Sequence, residues 1–125
     1  MDAVINNLDA APALLRNVDS NKNHWIAFHL VGGPKSPRDA IGATVYVTTG
    51  ATRQRADVFS GGSFASTSDL RPHFGLGSAT SVDKLEVDWP SGLHETFPVD
   101  RIDAFQLLTE GKGTPLPKSA APAAQ

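Results

Sequence analysis

Residues 82–99 read VDKLEVDWPSGLHETFPV. Leu85, Val87 and Trp89 alternate with Glu86 and Asp88, and a side-chain period of two belongs to a strand with one dry face and one wet face. Pro90-Ser91-Gly92 stops the run, because proline has no N–H for a ladder and glycine accepts the backbone of a tight turn. His94 to Val99 then reads as the returning arm of a hairpin.

The same signature recurs on either side. Ile26, Phe28 and Leu30 alternate with Ala27 and His29, and Gly32-Gly33-Pro34 ends that strand. Val45 and Val47 alternate with Thr44, Tyr46 and Thr48, a run of β-branched and aromatic residues suited to a pleated surface. Arg55 to Phe59 extends again, with Ala56 and Val58 on one face, before Ser60-Gly61-Gly62-Ser63. A last strand spans Ala104 to Thr109. Eleven glycines and nine prolines in 125 residues supply turns at short intervals. The expectation is an all-β fold: a single compact antiparallel β-sandwich or barrel-like domain of six to eight short strands.

Length leaves room for one domain with one core. The formal net charge is −2 with acids and bases interspersed, so no basic face for nucleic acid is expected. Arg53 and Arg55 form a local pair beside Asp57 rather than a stripe. Absence of cysteine removes disulfides, thiolate zinc sites and thiol catalysis together. The apolar runs are too short to span a bilayer, so membrane insertion is not expected. No cationic start followed by an apolar stretch is visible, so the signal of an exported parent would lie outside these residues.

Three zones separate along the chain. In 1–20, Ala3-Val4-Ile5 and Leu14-Leu15 are short strand candidates around a turn from Asn6 to Pro12. The rival reading is a short helix from Ala10 to Asn17, favoured by alanine and leucine. Two such strands bury too little to stand alone. Residues 21–110 carry the periodic signal, and 111–125 (GKGTPLPKSAAPAAQ) read as a disordered Pro/Ala-rich tail or linker.

Four segments are more specific than the strands around them. They are Asn23-His24-Trp25, Arg38-Asp39-Ala40-Ile41-Gly42-Ala43, Arg71-Pro72-His73-Phe74-Gly75-Leu76-Gly77, and Val82 to Gly92 with its Trp89-Pro90-Ser91-Gly92 end. In this order over about residues 23–110 they resemble the ASPIC/UnbV family. Ser36-Pro37 stands where that family usually carries Ser-Asn, and Ala51-Thr52 replaces a more glycine-rich turn. Val4 to Leu8 and Ala13 to Asn17 are similar to the closing stretch of an FG-GAP/VCBS-type repeat, so 1–20 is expected to be a remnant of the last propeller blade. The resemblance implies an accessory or interaction module of an exported protein, extracellular or periplasmic. Its implied partners are the parent's β-propeller and an extracellular protein or glycan. No catalytic residues are carried over with it.

The residues were read for chemistry independently. His24, His29, His73 and His94 lie in four segments without ligand spacing, and no metal or cofactor site is expected. Gly75 and Gly77 flank Leu76, but the lysine and Ser/Thr of a phosphate loop are missing. Close backbone packing or positive φ is the better account of those glycines. Ser63, Ser66, Ser68 and Ser91 lie outside any nucleophile elbow. Glu86 and Asp88 share the polar face of a strand, where solvation is their expected role rather than glycoside hydrolysis.

Arg38 and Asp39 are expected to latch the loop, Asp39 on backbone N–H groups and Arg38 on a strand carboxylate; an exposed recognition pair is the alternative. Gly42 is expected to permit the turn into the next strand. The structural motif set is thus Arg38, Asp39, Gly42, His73, Gly75, Gly77, Trp89, Pro90 and Gly92. Trp25, Tyr46 and Phe64 are candidates for a binding surface, although Trp25 and Trp89 are expected in the core with Phe74, Phe97 and Phe105. Absent catalytic motifs point to a non-enzyme. A carbohydrate-binding module and a hydrolase accessory domain are the alternatives.

Overall fold

The computed structural model describes residues 1–117. A two-stranded hairpin, β1 (Ala3–Ile5) and β2 (Ala13–Leu15), precedes eight further strands. These are β3 (His24–Val31), β4 (Thr44–Thr49), β5 (Thr52–Asp57), β6 (His73–Gly77), β7 (Lys84–Asp88), β8 (His94–Phe97), β9 (Ala104–Thr109) and β10 (Thr114–Pro115). One sheet has the order β10-β8-β7-β4-β5 and the other β6-β3-β9. The architecture is sandwich-like and all-β, without a closed barrel. The helix considered for Ala10 to Asn17 is replaced by β2.

Alternation dictates which side chains meet between the sheets. Val45 and Val47 of β4 stand opposite Val87 and Leu85 of β7. Together with Trp89 they face Ile26, Phe28 and Leu30 of β3, Phe74 and Leu76 of β6, and Leu108 of β9 in one buried cluster. Phe28 and Phe74 meet edge to face with centroids 5.9 Å apart, and Trp89 meets Phe97 similarly at 6.3 Å.

Three features depart from expectation. First, β9 runs parallel to β3, with Ile26 opposite Ala104 and Val31 opposite Thr109. The segment after β8 crosses to the other sheet before β9 begins, so a hairpin return is not available to it. Second, the sheet continues beyond residue 110: Thr114–Pro115 pairs with Thr96 and Glu95 of β8. The tail expected over 111–125 lies, from residue 118, outside the described residues.

Third, the loop latch is Glu110, not Arg38-Asp39. Among the described residues, neither the Arg38 nor the Asp39 side chain makes a hydrogen bond or ion pair, and both are exposed. The turn is held through its backbone, with Gly32 N donating to the Arg38 carbonyl (2.9 Å) and Gly42 N to that of Val58 (2.8 Å). Gly42 has φ +95°, as the turn requires, and sits against Pro90. Glu110 accepts from Gly33 N (2.6 Å) and from the Ser91 hydroxyl, and so joins the glycine loop to the Pro90-Ser91-Gly92 turn. Burial pushes its carboxyl up, but the bonds from Ser91, Gly33 and Ser36 outweigh that and hold it below the ordinary range.

Candidate interaction surface

Because Ile26 and Phe28 point inward, Trp25, Ala27 and His29 must point outward from β3. The same parity turns His73 and Gly75 of β6, and Phe105 and Leu107 of β9, onto that outer face. Trp25 therefore leaves the core in which it was expected, and so does Phe105, which is 51% exposed. Leu107 beside it is 61% exposed.

These side chains form a ladder. The Arg71 guanidinium lies 4.4 Å from the Phe105 ring centre. Phe105 meets Trp25 edge-on at 5.4 Å, and Trp25 stacks on His73 at 5.2 Å with 14° between their planes. Contact with the indole desolvates the imidazole, although its rim is open, and lowers its proton affinity. Trp25 is fixed from the other side by Asp103. That carboxylate accepts from Trp25 N (3.1 Å) and meets His24 Nδ1 (2.6 Å), while Asp103 N donates to the Trp25 carbonyl (2.7 Å). The His24 bond, chiefly, holds the Asp103 carboxyl below its ordinary value.

Arg71 is aimed by Asp69, which accepts from Nε (2.9 Å) and Nη2 (2.5 Å) in a fork geometry and from the Arg71 backbone N–H (3.0 Å). Hydrogen bonding by Arg71 lowers the Asp69 pKa from 3.8 to about 2. Since the shift is downward in the folded chain, the pair stabilises the fold above about pH 4 and loses that effect as pH falls towards 2. The side chains are 44% and 38% exposed, so solvent screening keeps the contribution below about 1 kcal/mol. Arg71→Gln is accordingly expected to be slightly less stable than wild type at pH 5, with the gap closing between pH 4 and 2 in acid unfolding. A gap that persists unchanged to pH 2 would contradict the assignment.

Two clefts flank this ion pair. One, of about 1070 Å³, runs between the β1–β2 hairpin with its following segment and the face bearing Trp25, His73 and Phe105. The other, of about 250 Å³, is bounded by His29, Asp39 and Leu70. Both are lined by Asp69 and Arg71, so the ion pair stands between them, and the larger cleft is the groove along the outer face.

The three aromatics proposed from sequence do not converge. Tyr46 lies on the outer face of the five-stranded sheet beneath Arg53, whose guanidinium is 4.0 Å from its ring centre. Phe64 stands 98% exposed on the loop before β6. Only Trp25 reaches the groove. Of the motif residues, His73 joins the ladder, whereas Trp89 is buried and Gly42 and Pro90 meet in the turn at one end of the sandwich.

A second polar cluster occupies the outer face of the five-stranded sheet. Glu86 was expected to be solvated but is buried beneath Arg53 (3.3 Å), Lys84 (2.9 Å) and His94 (3.4 Å). Burial raises its carboxyl, and those three neighbours outweigh the effect and hold it low. His94 also meets Asp88 through Nδ1. The cluster has the geometry of a packed ionic lid over the sheet, with every polar group turned to another.

Arg71, Asp69, Asp103 and Phe105 are the surface residues that sequence reasoning missed. The signal for Arg71 was the Asp69-Leu70-Arg71 spacing, and for Phe105 the alternation with Leu108 inward. No curated protein and no solved structure matched the chain. A family model described as ASPIC and UnbV matches residues 33–115, a span that begins just after β3 and so leaves Trp25 ahead of it. It takes in the Arg38 to Ala43 turn, β6, the Trp89 to Gly92 turn and β10, and on that match the chain belongs to the ASPIC and UnbV family.

Proposed function

We propose that this domain is a non-catalytic interaction module of a larger exported β-propeller protein, acting in an extracellular or periplasmic setting. The observation that carries the reading is the outer face of the three-stranded sheet, where Phe105 and Leu107 stay half-exposed or more beside a positioned arginine and a stacked indole. Aromatic and arginine side chains on an open, rimmed face are the composition of recognition surfaces. The hairpin supports the propeller part of the reading. Val4, Leu8, Leu14 and Leu15 are 72%, 92%, 68% and 54% exposed, and a two-stranded ribbon with bare apolar side chains needs further strands to cover it.

In this arrangement the hairpin faces the propeller and the groove faces a ligand. Binding of the labelled domain to an array of extracellular proteins and glycans tests it. Phe105→Ala and Arg71→Gln are each expected to weaken the bound features at least tenfold. Features that bind both variants as well as wild type would remove this face as the recognition surface.

A further inference from the structure

Strand β5 closes one side of the five-stranded sheet, and its far edge is bare. Val58 N donates to the Ala43 carbonyl (2.9 Å), and the β4–β5 register continues from there through Val45 opposite Ala56 and Val47 opposite Gln54. Alternate residues of an antiparallel strand turn their backbone groups to the partner, so the N–H and C=O of Arg53, Arg55 and Asp57 point away from β4. These groups have no hydrogen-bond partner among the described residues, and all three residues are exposed. The other outer strands of the sandwich are covered by the chain itself. Gln54 Nε2 caps the Gly75 carbonyl of β6 (2.8 Å), Leu108 of β9 is fully buried, and β10 is two residues long with a proline. Charge of one sign would guard the open edge by repelling a copy of itself. Here the sign alternates instead: Arg55 and Asp57 lie two apart on one face of the strand, and the reversed strand offers the matching order.

We propose that β5 pairs antiparallel with β5 of a second copy of this chain, joining the two five-stranded sheets edge to edge. With Ala56 opposite its own counterpart, Arg55 of each copy stands across from Asp57 of the other. Those are the positions whose backbone groups point outward, so each of the two Arg55–Asp57 pairs closes two ladder bonds as well as a charge pair. Slipping the strands by two residues sets Arg55 against Arg55 or Asp57 against Asp57, so charge selects this register. Within one copy Arg55 meets Asp57 at 3.0 Å, but at 61% and 47% exposure that contact is weak enough to exchange for the one between copies. The two-fold axis is isologous and normal to the sheet, so the outer faces of both three-stranded sheets look the same way. Two copies then engage a repetitive surface together, with the gain that bivalency brings. The pairing uses neither that outer face nor the hairpin, and it stands whether or not they bind.

A contact of one short strand belongs with small, transient interfaces, so a dimerisation midpoint on the order of 100 µM is expected. Sedimentation velocity of the whole chain between about 10 µM and about 1 mM covers that range. Arg55→Asp, which sets carboxylates across from each other, is expected to weaken association roughly tenfold or more. Adding Asp57→Arg to it restores the opposite charges and is expected to restore dimerisation to within about threefold of wild type. Ala56→Cys, in a chain without other cysteine, is expected to give a disulfide-linked dimer on mild oxidation, since its counterpart lies directly across the axis. A monomer throughout the range, association that Arg55→Asp leaves unchanged, a folded double variant no better than the single one, or no disulfide dimer from Ala56→Cys each overturns the proposal.

Discussion

Gly32→Ala is expected to lower stability by about 3 kcal/mol or more, roughly 10 °C in melting midpoint for a domain of this size. Gly32 follows β3 and donates its N–H to the Arg38 carbonyl at 2.9 Å. A Cβ on it would lie 2.0 Å from the Pro37 carbonyl oxygen and 3.0 Å from the Ser36 Cβ. Backbone cannot swing aside as a long side chain can, so either the loop from Gly33 to Ala43 must move or the end of β3 must. That loop also carries the Gly33 contact to Glu110, so a shift there propagates to the Ser91 turn. Thermal denaturation of Gly32→Ala measures the effect, and a midpoint within two degrees of wild type would contradict the close approach.

The second large effect is expected at Glu95. Its side chain is fully buried, and its register opposite Val87 turns it to the inner face of the sheet. There its two oxygens accept from Gly111 N (3.0 Å) and Gly113 N (3.1 Å). The chain after β9 is thereby folded back onto β8, where Thr114–Pro115 pairs and Leu116 N reaches the His94 carbonyl. Glu95→Ala leaves two N–H groups without an acceptor and a void in the sheet, worth about 3 kcal/mol. The variant should melt roughly 10 °C lower, with hydrogen exchange accelerated first at Gly111 and Gly113. Unchanged exchange at those two amides would show that the turn stands without the carboxylate.

Much of the core was legible because it alternates. Val45, Val47, Leu85 and Val87 announced β4 and β7, and both sit between the sheets at 0% exposure. Strand β6 was harder to read, since in His73-Phe74-Gly75-Leu76-Gly77 two of the three outward positions are glycine and carry no polar mark. Strand β10 is two residues long and includes a proline, and local pattern holds no information on whether β9 meets β3 parallel or antiparallel. For the site, the parity of Ile26 and Phe28 already placed Trp25 outside, and the expectation of a buried indole overrode it. Glu95 inverts the reasoning. Its inward direction follows only from the hairpin register, because a glutamate invites assignment to the wet face. The ladder from Arg71 to His73 joins three strands distant in sequence, and only the strand order brings them together.

The parallel pairing of β3 with β9 bears on how such a domain is made. His24 and Asp103, which clasp the start of that pair, are 79 residues apart, and a contact of such separation forms slowly because most of the chain must be ordered before it closes. During synthesis β3 emerges early and must wait for β9 with one edge bare. A nascent chain halted before residue 104 presents an unpaired hydrophobic strand edge, the hazard that leads to aggregation. Completion of the outer face therefore waits on the carboxyl side of the module: the ladder assembles only when Phe105 arrives beside Trp25, so a chain halted before it carries an unfinished outer face.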